Sequence, residues 1–254
     1  MPNTTETLES GNVYFLFRPK IEEETSEALE DVQRMFVVLS PEGLQRYRLL
    51  VIGRKQLPEP ERSGQEKKNW GFVDAVSKDA ETIENRLDPQ TYQTKTRGTR
   101  HLAAVRPIGE GVYRIVRHED HTHFVYALEL PKETGEAQTA FNIEEQASYI
   151  ISVKNPEKGS SLGAGLGEEQ EAHFPRWLQE KFRDRRFCEA DPPDFLNFEG
   201  TEFVLISAAD DVSEELGIKL HPEDESGTSA DIFNELKMEK SVHLLKPLLK
   251  GEWE

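Results

Sequence analysis

Eight short runs rich in Val, Ile, Phe and Tyr constrain this chain more than any other feature. They cover residues 13–17, 35–39, 47–52, 71–76, 112–117, 122–130, 149–153 and 202–206. Branched and aromatic side chains favour a pleated, half-buried surface, so each run is predicted as a strand. Only three stretches read as helix. In 79–87, Ala80, Ile83 and Leu87 recur at helical spacing. In 169–183, Phe174, Trp177, Leu178 and Phe182 make a similar stripe, with Pro175 predicted in the first turn. In 229–239, Thr228 and Asp231 are spaced like a capping box, and Phe233 and Leu236 face inward. Strands outnumber helices and do not alternate regularly with them. The predicted class is therefore α+β with a largely antiparallel sheet, not a doubly wound α/β fold.

The order of the strands suggests an internal repeat. Gly11–Arg18 resembles Gly111–Arg117 once Asn12 is skipped, Phe36–Pro41 resembles Tyr126–Pro131, and Arg48–Ile52 resembles Tyr149–Val153. Two similar three-stranded units follow, one in 11–100 and one in 101–207, packed as a single domain. Residues 208–254 form an acidic excursion with a short helix and a C-terminal strap. The part from 207 to 228 reads as a linker.

Composition narrows the setting. Of 254 residues, 31 % are charged and 36 % hydrophobic, and no apolar stretch approaches the roughly 20 residues needed to span a bilayer. The opening residues are polar and acidic, without the basic and apolar regions of a secretory leader. The single cysteine, Cys188, has no partner for an internal disulfide and excludes a multi-thiolate zinc site. A soluble, cytoplasmic protein is expected.

A net charge of −17 argues against bulk nucleic-acid binding and against anionic membranes. The bases are nonetheless concentrated in the middle. Residues 34–55 hold Arg34, Arg46, Arg48, Arg54 and Lys55 against Glu42 alone. Residues 93–118 hold Lys95, Arg97, Arg100, Arg106, Arg114 and Arg117 against Glu110 alone. Guanidinium groups beside Gly98 and hydroxyl residues suit phosphate or carboxylate. These six side chains are the predicted lining of a basic cleft. The competing explanation is surface pairing with the surplus carboxylates.

A second candidate lies next to it. If Glu119 and Asp120 form a two-residue turn, then His118 faces His121, Val116 faces His123, Ile115 faces Phe124 and Tyr113 faces Tyr126. One side of that hairpin is apolar: Tyr113, Ile115, Phe124, Tyr126 and Leu128. The other gathers His118, His121 and His123, a ligand set suited to zinc or another divalent ion.

Other motifs carry less. Gly159-Ser-Ser-Leu-Gly163 has the spacing of a nucleophile elbow, but residues 154–158 separate it from the preceding strand. Cys188 has no histidine neighbour in sequence and reads as inert. Leu245-Lys-Pro-Leu-Leu249 matches LxxLL, with Pro247 opposing a continuous helix. The sequence thus favours a non-catalytic binding or regulatory protein whose basic cleft receives an anionic small molecule or a partner's acidic surface. The rival is a metal-dependent, hydrolase-like enzyme built on the histidine cluster, a nearby carboxylate serving as base.

Overall fold

All eight apolar runs become strands, and they close into a ring. A computed structural model describes residues 5–59, 67–96, 98–159, 165–208, 212–223, 225–226 and 229–254. The strands are β1 (Glu6–Pro19), β2 (Val32–Pro41), β3 (Tyr47–Ile52), β4 (Lys68–Ser77), β5 (Gln90–Thr94), β6 (Gly98–Leu102), β7 (Arg106–His118), β8 (His121–Leu130), β9 (Gln146–Lys154), β10 (Phe187–Glu189) and β11 (Glu202–Ser207). Around the ring the order is β1-β2-β3-β4-β11-β9-β8-β7 and back to β1, with every neighbouring pair antiparallel. Three-residue β10 pairs with the C-terminal end of β9, while the N-terminal half of β9 pairs with β8. A polar two-stranded ribbon, β5–β6, stands apart from the barrel.

This corrects the predicted α+β sheet of two three-stranded units. The protein is an eight-stranded antiparallel barrel with one extra strand and a few short helices. Closure needs β4 to meet β11 and β1 to meet β7, pairings between distant residues that local hydrophobic pattern does not encode. Sequential order within 11–52 and within 112–153 is what any meander has, so it says nothing of duplication.

The interior is packed with side chains. Val13, Phe15 and Phe17 of β1 meet Leu50, Ile52, Tyr113, Ile115, Phe124, Tyr126, Tyr149, Ile151 and Phe203 in one core. Phe15 and Tyr126 make an edge contact with centroids 4.8 Å apart. The space left inside is an apolar cavity of about 20 Å³ lined by Val37, Leu39, Phe124 and Leu196 among others. Among the described residues this cavity is too small for a ligand.

Strands β1 to β3 are buried on their outer face as well, which explains why their sequences read as continuous apolar runs. Tyr14, Leu16, Phe36, Val38, Leu49 and Val51 pack against helix α1 (Ala80–Leu87) and the C-terminal segment. Asp79 caps α1 by accepting the Glu81 amide at 3.2 Å. The remaining helices are α2 (Glu136–Ala140), α3 (Arg176–Gln179), α4 (Val212–Leu216), α5 (Asp231–Glu235) and α6 (Lys246–Lys250). The stripe in 169–183 is shorter than predicted: Pro175 is the extended residue before α3. Thr228 lies outside the described residues, and Ala230 precedes α5. Pro247 falls in the first turn of α6, where a missing amide is harmless. The predicted linker instead contains α4, whose Val212 and Leu216 cover Val116 and Val125 on the barrel wall.

Gly11 and Gly111 allow β2 and β8 to approach closely. A methyl group on Gly11 would meet Ser40 O at 2.1 Å, and one on Gly111 would meet Ala127 O at 2.1 Å. Only a residue without Cβ fits either point.

Candidate functional site

The β7–β8 hairpin forms in the register its two-residue turn dictates. His118 pairs with His121, Val116 with His123, Ile115 with Phe124 and Tyr113 with Tyr126. Glu119 takes φ 52° to make the turn. The three imidazoles share the outer face, but they do not converge as ligands. His123 is buried beneath α4, and its Nδ1 lies 3.0 Å from Ser148 Oγ and 3.9 Å from Glu215. Its ring meets His118 edge-on with centroids 5.9 Å apart, and His121 is exposed. Burial, then the neighbouring His118 and His121, pulls the His123 pKa down to about 4. Among the described residues no group of three or more His, Cys, Asp or Glu is placed to hold a metal ion. Of the expected zinc-type set His118, His121 and His123, packing under α4 takes one imidazole, His123, into the wall.

The six basic residues are dispersed. Lys95 is exposed at the tip of the β5–β6 ribbon, and Arg97 lies outside the described residues. Arg100 Nε is 3.4 Å from Glu22. Arg106 is buried at the far end of the barrel, bonded to the Glu254 carboxylate and to the carbonyls of Ala104 (2.7 Å) and Glu24 (2.6 Å). Arg114 borders an outer-wall recess of about 550 Å³ beside Asn12, Tyr47 and Glu235. Arg117 reaches Asp191 and Glu6, each at 2.6 Å, at the barrel mouth. Among the described residues these side chains border separate recesses: Arg106 one, Arg114 another and Arg117 a third.

Instead, Arg117 and His121 meet a basic group that is remote in sequence. A recess of about 470 Å³ opens between the hairpin tip and residues 181–191, and Lys181, Arg183 and Arg185 line it. Arg185 pairs with Glu189 at 3.2 Å. The side chains of Lys181 and Arg183 have no ion-pair or hydrogen-bond partner among the described residues. Thr122 belongs to the same wall. It is 1 % exposed and its hydroxyl has no hydrogen-bond partner among the described residues, an arrangement that costs about 1–3 kcal/mol unless a ligand or water satisfies it.

The backbone on the recess's far side is strained. Arg183 sits at φ 47°, ψ 42° and Asp184 at φ 63°. Successive left-handed non-glycine residues cost about 1–2 kcal/mol each. The anchor is Phe182, fully buried against Phe174 and Phe195 at 5.9 and 5.4 Å. Such strain held by packing is typical of functional sites. Cys188 also borders the recess, but burial pushes its thiol up to about 12, which keeps it protonated. The run Lys181-Phe-Arg-Asp-Arg-Arg186 is the sequence signal for these cations.

The elbow-like Gly159–Gly163 spacing falls mostly on residues 160–164, outside the described residues. No helix among the described residues is long and apolar enough to cross a membrane.

Fold and site together define a closed antiparallel barrel with a filled interior and polar recesses on its surface. No family model, curated protein or solved structure matches the chain.

Proposed function

We propose that this chain is a binding protein whose barrel-mouth recess receives an anionic group, from a small molecule or from the acidic surface of a partner. The observation that carries this reading is the pair of cations, Lys181 and Arg183, which have no partner among the described residues and line one recess with Arg117 and with the Thr122 hydroxyl, itself without a partner among those residues. Guanidinium and ammonium groups supply charge-assisted donors, and the hydroxyl supplies one more. Specificity would rest on geometry, because the net charge of −17 repels anions at long range.

The test is a calorimetric titration with inorganic phosphate and, separately, with a short polyglutamate peptide at low and moderate salt. Binding should weaken with salt and should fall at least tenfold in the Lys181→Ala/Arg183→Ala variant, the loss of about 1.4 kcal/mol expected for charge-assisted bonds. If neither probe binds, or if the variant binds both as well as the native chain, the recess is not an anion site. The arm that binds also distinguishes the two sources of negative charge.

A further inference from the structure

The C-terminal segment is attached to the barrel wall chiefly through carboxylates. Its apolar side chains Ile232, Leu236, Met238 and Leu248 complete the outer core over β1 to β3. Its polar contacts are of a different kind. Glu110 of β7, fully buried, accepts the backbone amides of Asp231 and Ile232, each at 3.1 Å. Glu129 of β8, also buried, accepts the amide of Glu223 at 2.5 Å. Glu235 reaches the hydroxyls of Tyr14 and Ser40 and the Asn12 amide. Glu225, only 8 % exposed, leaves one carboxylate oxygen without a hydrogen-bond partner among the described residues.

We propose that this segment is a proton-sensitive strap, docked firmly while the buried carboxyls between it and the β7–β8 wall hold protons and loosened as pH rises through neutrality. Burial pushes the Glu110 carboxyl up to about 7 against the downward pull of the Ile232 and Asp231 amide bonds, and two more carboxylates, Glu225 and Asp231, add to the rise. Burial, with Glu225 the first charge after it, raises Glu129 and Asp231 in the same direction. A carboxyl whose docked value exceeds its free value of 4.5 stabilises docking fully below 4.5. That contribution is lost as pH rises to about 7. Tyr14 of β1 and Glu225 and Asp231 of the strap stand around Glu110, Asn12, Glu223 and Glu235 neighbour Asp231, and Glu129 of β8 neighbours Glu223, Glu225 and Asp231. Lys132 stands beside Glu129 and Glu223 at the edge. Two buried imidazoles act in the opposite sense. His123 lies under α4, and His243 contacts Val105 O at 2.9 Å, and burial lowers both. Release would uncover the outer apolar face of β1 to β3.

Hydrogen exchange of the full chain, read by mass spectrometry and corrected for intrinsic rates, tests this. The signal is protection of residues 231–236 between pH 5.5 and 8.5, compared with residues 13–17 of the barrel. Glu110→Gln cannot ionise and keeps an acceptor for one of the two amides, so it lowers protection by a factor that does not depend on pH, and the imidazole contributions cancel in the ratio of variant to native protection. That ratio should rise by about 30-fold across the range, the factor given by moving a carboxyl from 4.5 to about 7. A constant ratio, or equal loss in the barrel strand, would overturn the proposal. Should Glu110→Gln fail to dock at any pH, Glu225→Gln preserves both amide bonds and, by lowering the docked Glu110 value, must shift the end of the native loss of protection to lower pH. An unshifted profile would also overturn it.

Discussion

Arg48 offers the sharpest test of how the barrel is held. It is fully buried inside the ring, and its Nη atoms donate to the two oxygens of Glu9 at 2.6 and 2.8 Å. Its Nε donates to Asn197 Oδ1 at 2.9 Å, and the Tyr113 hydroxyl donates to Glu9 at 2.8 Å. Burial alone would lower the guanidinium pKa, but the Glu9 bonds and charge outweigh it and keep Arg48 charged. Arg48→Met retains most of the volume and strands the Glu9 carboxylate, whose side chain is only 9 % exposed. Removing one partner of a buried pair costs about 3–5 kcal/mol, whereas replacing both by neutral groups of similar size is often close to neutral. Urea unfolding should therefore show Arg48→Met destabilised by about 3–5 kcal/mol at unchanged m-value. Arg48→Met/Glu9→Gln should recover more than half of that loss. A single variant within about 1 kcal/mol of native, or a double variant no better than the single, would show that the pair is not the desolvated contact inferred from its burial.

Three further outcomes are expected. Phe124, 4 % exposed beside the 20 Å³ cavity, should destabilise the fold by about 3–5 kcal/mol as Phe124→Ala, measured by the same unfolding curves. Gly111→Ala should cost about 1–3 kcal/mol because its methyl meets backbone at 2.1 Å, read from the same curves. His123 is held neutral by burial, so its contribution is complete above pH 6.5 and is lost as pH falls towards 4. His123→Leu should flatten the acid limb of the stability curve by about 3 kcal/mol, and an unchanged limb would place the titration elsewhere.

Local pattern was enough for every stave of the barrel and for the hairpin tip. A two-residue turn leaves β7 and β8 one register, and Tyr113, Ile115, Phe124 and Tyr126 all reach the core. Closure was not legible, because the β4–β11 seam pairs Phe72 with Glu202, and nothing in either run names the other. The ribbon strands Gln90–Thr94 and Gly98–Leu102 escaped notice because they are exposed and lack an apolar alternation. The six bases are spread for a geometric reason. Arg114 and Arg117 are an odd number of residues apart and so face opposite sides of β7. Arg106 begins the same strand, about 35 Å from Arg117 at roughly 3.3 Å per residue. Lys181 and Arg183 come near Arg117 only through the fold. The imidazoles did share one face, but α4, which covers His123, was read as part of a linker.

The ring's seams also bear on synthesis. Strand β11 is the last stave, so β4 and β9 keep a free edge on a growing chain until residues 202–207 have emerged. Those edges carry unpaired amides and carbonyls flanked by Val73, Ala75, Ile151 and Val153, a template for pairing with another chain. Contacts so distant in sequence also form slowly. The vulnerable species is therefore the open seven-stranded sheet, and its lifetime, more than the stability of the finished barrel, should govern how much of the chain is lost to aggregation during expression.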